Sequence, residues 1–170
     1  MRYTEARTSR EIVALFEPTA KDACHVLGCS LPDKIVPVVP AENGEIEGPY
    51  GAAHGWHYHD VGIFIVVERP ANEICRTIYH ECSHHADWLK YAGDLAAALE
   101  DHEAGELRAR EFATKQVRDL PAAPSLLLRA LEQRLHAQKY PVSHALAMVT
   151  ARGELARKEL DEFVLYGEPN

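Results

Sequence analysis

The sequence predicts an α+β fold in which a small, mainly antiparallel sheet precedes an active-site helix and a helical C-terminal half. Short β-branched and aromatic runs, bounded by turn residues, lie before residue 70, and apolar residues recur at helical spacing after it. With 170 residues and 46% hydrophobic content, the chain is long enough for one compact core. We therefore expect one domain over 1–170, with its catalytic core in 1–120 and a helical extension in 121–170.

Three segments make up the predicted β-region. Lys34–Val39 is β-branched, but Pro37 cannot donate a backbone hydrogen bond, so an edge or interrupted strand is expected there. Ala41–Gly51 is rich in turn residues and predicts a loop. Trp56–His59 and Ile63–Val67 are separated by a short Asp- and Gly-containing turn, which indicates a hairpin.

The rest of the chain predicts helices. Their expected ranges are Ala71–Tyr91, Leu99–Arg118, Pro124–Gln138 and Pro141–Tyr166. Glycine and proline residues between these ranges account for where each helix is expected to stop.

Composition narrows the classes of partner. A net charge of −8 and a pI near 5.7 argue against nucleic acid or an anionic membrane surface, because both attract basic proteins. No apolar run approaches the roughly 20 residues that a membrane span needs. The four cysteines are irregularly spaced without a C-x-x-C motif, which favours a reducing, cytoplasmic compartment.

The most informative motif is His80-Glu81-Cys82-Ser83-His84, an H-E-x-x-H pattern inside a predicted helix. Residues four apart lie on one helix face, so the two imidazoles can converge on one metal ion. Glu81 is displaced by about 100° from His80, which directs it toward a metal-bound water rather than the metal. The alternative is that these histidines are simply buried or solvated.

The two faces of this helix differ in chemistry. An apolar stripe consists of Ile74, Ile78, Cys82, Ala86 and Leu89, and the opposite side carries Thr77, His80, His84, Trp88 and Tyr91. A surface helix normally carries charged residues opposite its apolar stripe. Histidines and aromatics there predict that the second side faces a cleft. His85, beside the motif, is expected to support a ligand or lie at the surface.

A catalytic zinc ion usually has three protein ligands and one open position, so a third ligand is needed. Glutamates of the following helix are the candidates. Glu106 lies at the centre of its apolar, small-residue face, where an unpaired carboxylate would be costly to bury. Glu103, at the margin of that face, is the reserve. A helical ion pair between Glu106 and Arg110 is the alternative explanation.

A second histidine cluster comprises His54, His57 and His59. On a strand, His57 and His59 share one face. The polar face of a half-buried hairpin is the favoured interpretation, because no carboxylate or cysteine nearby completes a ligand set. An accessory metal site and a substrate-contacting edge are the alternatives.

Two segments together resemble the gluzincin zinc metallopeptidases, in particular their short ImmA/IrrE-type branch. They are H-E-C-S-H at 80–84 and E-L-R-A-R-E-F-A at 106–113, which follows the E-x-x-A-x-x-F-A pattern of that branch. The resemblance implies one zinc ion held by His80, His84 and Glu106, with Glu81 as catalytic base. It covers about residues 51–120. Arg110 stands where the pattern usually has Asn, and the C-terminal half matches no known pattern.

The function expected from these features is zinc-dependent hydrolysis of peptide bonds in a protein or peptide substrate. A second donor to the oxyanion is needed besides the metal. His102, one turn before Glu106, and Tyr91, on the histidine side of the first helix, are the candidates. Two other functions stay open: a zinc hydrolase acting on another acyl substrate, and a non-catalytic metal-binding or regulatory protein.

Overall fold

A computed structural model describes residues 12–38, 46–48, 51–59, 61–67, 69–92 and 94–138. Its helices are α1 (Phe16–Leu27), α2 (Ala71–Lys90), α3 (Leu95–Glu100), α4 (His102–Val117) and α5 (Pro124–Ala137). Its strands are β1 (Ile35–Val38), β2 (Ile46–Gly48), β3 (Gly51–Ala53), β4 (Gly55–Tyr58) and β5 (Gly62–Val66). The α+β fold class predicted from the sequence is confirmed.

The main sheet has the strand order β1-β5-β4. The predicted hairpin is present, with β4 antiparallel to β5. β1 pairs in parallel with β5, so the main sheet is mixed and not mainly antiparallel as predicted. Pro37 lies in the edge strand β1, as its missing N–H requires. Gly62 starts β5 at φ +145°, and a Cβ there would lie 2.5 Å from the Lys34 carbonyl oxygen. Glycine is therefore needed where β5 begins beside Lys34.

The predicted loop over Ala41–Gly51 is wrong in part. Residues 46–48 and 51–53 pair as the antiparallel strands β2 and β3. Each strand has three residues. That length is too short for apolar and polar residues to alternate visibly, so the sequence contains no strand signal there.

The helices after the sheet begin and end close to the predicted positions, with one exception. Instead of a single helix over Leu99–Arg118, the chain forms α3 and α4, with Asp101 between them. The Asp94 side chain accepts hydrogen bonds from the backbone N–H groups of Ala96 and Ala97, which starts α3 earlier than predicted. The helix predicted over Pro141–Tyr166 lies outside the described residues.

The hydrophobic core is centred on α2, which packs against α1, α4 and the sheet. Its predicted apolar stripe is buried at Ile74, Ile78 and Cys82, whereas Leu89 near its end is 43% exposed. Burying one such aliphatic side chain contributes about 1.5–3 kcal/mol. No helix among the described residues has the length and apolar content that crossing a membrane requires.

A buried polar cluster, here called the anchor, joins α1, α2 and α5. Its members are Asp22, Tyr79, Arg134 and Gln138. The fully buried Asp22 carboxylate accepts hydrogen bonds from the Tyr79 hydroxyl (2.5 Å), Arg134 (2.7 Å) and Gln138 (3.1 Å). Burial and the neighbouring carboxylate raise the pKa of Tyr79 far above its ordinary value. The anchor thus fixes the position of α2 from the side opposite the motif histidines.

Candidate metal centre

His80 and His84 lie one turn apart on α2 and point to the same side of the helix, as their spacing predicts. Their Nε2 atoms are 3.1 Å apart. Two nitrogen ligands of one tetrahedral zinc ion stand about 3.3 Å apart when each zinc–nitrogen distance is about 2.0–2.1 Å. The imidazole pair is therefore already spaced to bind a single ion.

Glu106 reaches the same point from α4. Its Oε1 lies 3.1 Å from Nε2 of His84, and its Oε2 lies 3.6 Å from Nε2 of His80. The donor atoms of the three residues all lie within 4.8 Å of one another, so this group, here called the His-His-Glu cluster, could hold a metal ion. Its side chains are 20–31% exposed, which leaves the cluster open to the cleft.

The alternative ion pair of Glu106 is also present. Arg110 Nη2 lies 3.4 Å from Glu106 Oε2, but the Arg110 side chain is 72% exposed. An exposed pair of this kind contributes only a few tenths of a kcal/mol, so it accompanies the contacts with the histidines and does not replace them. The reserve residue Glu103 is exposed and does not line the cleft, so it does not join the cluster.

The pKa shifts follow from the close packing of these groups. The hydrogen bond with His84 lowers the pKa of Glu106 to about 2, against the opposing effect of burial. Burial and the nearby His84 lower the pKa of His80 to about 4. At neutral pH Glu106 is therefore an anion and His80 a neutral imidazole, the forms that bind metal.

Glu81 is buried between α2 and β4 and is not part of the donor group. Burial raises its pKa to about 7, although a hydrogen bond from the backbone N–H of His57 acts in the opposite direction. A Cβ on Gly55 would lie 2.5 Å from Thr77 Cγ2 and 3.1 Å from Glu81 Oε1. Glycine at this position thus lets β4 approach α2 closely enough to hold the carboxylate.

The cluster opens into a cleft of about 770 Å³. The side of α2 predicted to face a cleft does so, since Thr77, His80, His84, Trp88 and Tyr91 all line it. β4 forms another wall, and α3 and α4 contribute the remainder. The cleft therefore runs between the edge of the sheet and the helices that follow it.

His102 and Tyr91 both line this cleft. The Tyr91 hydroxyl donates to the Asp101 carboxylate, which also accepts a hydrogen bond from Arg108, and Arg108 in turn lies 2.7 Å from Asp87. The hydrogen bond to Asp101 raises the pKa of Tyr91. The Tyr91 hydroxyl is thus engaged in a network that joins α2 to α4.

Sequence reasoning missed one contact at the site. His85, expected to support a ligand or lie at the surface, places its Nδ1 atom 3.2 Å from Nε2 of His57. Burial and the nearby imidazoles lower the pKa of His57 to about 3. His59 packs its ring edge against His57 and stacks on Trp88 at 3.9 Å between ring centroids. The shared face of His57 and His59 was visible in the sequence, whereas the contact with His85 was not.

No family model matches the chain, and neither the curated proteins nor the solved structures include a match to it.

Proposed function

We propose that this chain is a zinc-dependent metallopeptidase of the gluzincin type, with His80, His84 and Glu106 as the zinc ligands. The observation that carries the proposal is the convergence of both motif histidines with a glutamate from the next helix. Two imidazoles and one carboxylate form a known ligand set of catalytic zinc, which leaves one position open for water. A zincin-like fold is part of the proposal.

Glu81 is proposed as the general base. A zinc ion held by these residues would lower the pKa of a bound water toward 7 and polarise the scissile carbonyl. Glu81 would take the proton of the attacking water and pass it to the leaving amine. Burial with a pKa of about 7 supports this role, because such a carboxylate can accept and release a proton near neutral pH. A purely structural metal site has no need of a base beside its ligands.

A peptide is the proposed substrate because an edge strand borders the cleft. β4 is the last strand in the order β1-β5-β4, and residues 53–59 line the cleft. An extended peptide can add to such an edge through backbone hydrogen bonds.

His102 and Tyr91 are the proposed donors to the oxyanion, and Tyr91 would first have to exchange its bond to Asp101. We also propose a cytoplasmic location, which the four free thiols support.

The test combines metal analysis with one conservative substitution. Protein purified without chelators is expected to contain about one zinc per chain and to cleave peptides from a mixed library. Glu81→Gln keeps the size and hydrogen bonding of the side chain but removes the base, so cleavage should fall by about 10²–10⁴-fold with zinc retained.

Glu103→Gln is the matched control, since it makes the same change on an exposed glutamate outside the cleft. It should leave both zinc and cleavage unchanged. The proposal is wrong if the purified protein holds no zinc, or if Glu81→Gln cleaves peptides as fast as the unaltered chain. A zinc-loaded protein that cleaves no peptide would point to another acyl substrate or a non-catalytic role.

A further inference from the structure

A second group of imidazoles lies on another part of the cleft wall. His57 and His59 come from β4 and its C-terminal end, and His85 comes from α2. None of the three belongs to the His-His-Glu cluster, and we call them the histidine trio. His57 and His85 sit at the junction of β4 and α2, where Gly55 lets the two elements meet closely.

Two members of the trio, His57 and His85, have the spacing of two ligands of one ion, whereas the described residues hold one complete group of three donors, the His-His-Glu cluster. Nε2 of His57 and Nδ1 of His85 are 3.2 Å apart, nearly the same as the 3.1 Å between Nε2 of His80 and Nε2 of His84. The ring centroid of His57 lies 5.2 Å from that of His85 and 5.4 Å from that of His59. Imidazoles that share a tetrahedral ion at zinc–nitrogen distances of about 2.0–2.1 Å have centroids roughly 5 Å apart.

The three side chains differ in how firmly they are held. His57 is fixed from its backbone, because its N–H donates to the buried Glu81 carboxylate. His85 lies on α2 directly after the motif and is partly buried. His59 is exposed and stacks on Trp88, so a rotation of its side chain is needed to aim a ring nitrogen at the other two. His57 and His85 are therefore already in contact, whereas His59 would have to turn toward them.

We propose that His57 and His85, joined by His59, form a second site for a divalent transition-metal ion, separate from the His-His-Glu cluster. Imidazole ligands suit Cu²⁺, Ni²⁺ and Zn²⁺, whereas Mg²⁺ and Ca²⁺ prefer oxygen ligands, which the trio lacks. Without a carboxylate to offset the charge of the ion, this site binds more weakly than the cluster containing Glu106. The proposal of this second site does not depend on peptidase activity.

The experiment counts ions in the full chain. Metal-depleted protein is titrated with Zn²⁺ by calorimetry and with Cu²⁺ under electron paramagnetic resonance, which detects coordinated imidazole nitrogen. The unaltered chain is expected to bind two ions, the second more weakly. His57→Asn or His85→Asn should bind one, and His80→Ala should retain only the weaker ion.

His54→Asn is the matched control, because His54 is an exposed histidine that lines the cleft outside the trio. It should still bind two ions. His59→Asn should weaken only the second. Circular dichroism of each variant shows that it has folded before ions are counted. Binding of a single ion by the unaltered chain, or of two by both His57→Asn and His85→Asn, would show that the 3.2 Å contact is a hydrogen bond between imidazoles and not a metal site.

Discussion

Tyr79 and His80 are neighbours in α2, yet they serve opposite sides of the molecule. A rotation of about 100° per residue directs Tyr79 into the core and His80 into the cleft. Behind α2, the anchor surrounds the buried Asp22 carboxylate with a phenol, a guanidinium and an amide. In front of it, the Glu106 carboxylate faces two imidazoles that are open to solvent on one side.

The difference lies in what balances each carboxylate. A buried charge is costly unless it is paired and hydrogen-bonded, and Asp22 obtains its compensation from Arg134 within the fold. Among the described residues, Glu106 pairs with one permanently charged side chain, the exposed Arg110. The Asp22 carboxylate is therefore compensated within the fold, and the anchor contributes to stability. The His-His-Glu cluster, in contrast, could hold a metal cation.

The largest difference between the anchor and the His-His-Glu cluster is expected from Glu106→Ala, which should change zinc binding. Removing one of three proposed ligands should remove the tightly bound zinc ion, about one per chain, and abolish hydrolysis. Atomic absorption on protein dialysed against a metal-free buffer measures the loss. Glu103→Ala, on the same helix but outside the cleft, serves as the control. If Glu106→Ala bound zinc as tightly as the unaltered chain, the third-ligand assignment would be wrong.

A smaller effect of a different kind is expected from Arg134→Met in the anchor. The substitution leaves the buried Asp22 carboxylate without its cation and should lower the free energy of unfolding by about 2–3 kcal/mol. Urea unfolding measures this loss, and zinc content should not change. Arg129→Met changes an exposed arginine of the same helix and should have little effect. A parallel loss of zinc in Arg134→Met would contradict the separation between the two sides.

Gly55→Ala tests the junction of β4 and α2, where Glu81 is buried. The added Cβ would lie 2.5 Å from Thr77 Cγ2, so the unfolding free energy should fall by about 1–3 kcal/mol and hydrolysis should weaken as Glu81 is displaced. Gly105→Ala is the contrast, because the nearest atoms to its added Cβ are 3.6 Å away. Within α4 that change should raise stability by up to about 1 kcal/mol. Equal effects of the two substitutions on thermal unfolding would refute the role given to Gly55.

Features that depend on local periodicity were predictable from the sequence. The helix around the motif, its cleft-facing side and the position of Glu106 all follow from counting residues at 100° per step. The β4–β5 hairpin was predicted from strand composition and an Asp- and Gly-containing turn. In each case the residues that decide the structure are near neighbours in the chain.

Other features depend on contacts that no local pattern encodes. The parallel pairing of β1 with β5 brings together strands that are distant in sequence. The anchor joins Asp22 to Arg134 across 112 positions. Such pairs form only when helices pack, because burial decides which polar groups must find each other.

The sequence alone determined that His80 and His84 share one side of a helix and that Glu81 is turned away from them, because the helical repeat fixes the angle between residues. The sequence favoured Glu106 over Glu103 from its position on the helix, but only the tertiary structure brought Glu106 to the two histidines, because that contact depends on how α4 packs against α2. The tertiary structure also showed that His85, which lies beside the motif, contacts His57. Direction along one helix is a local property, whereas convergence of side chains from separate elements is a consequence of packing.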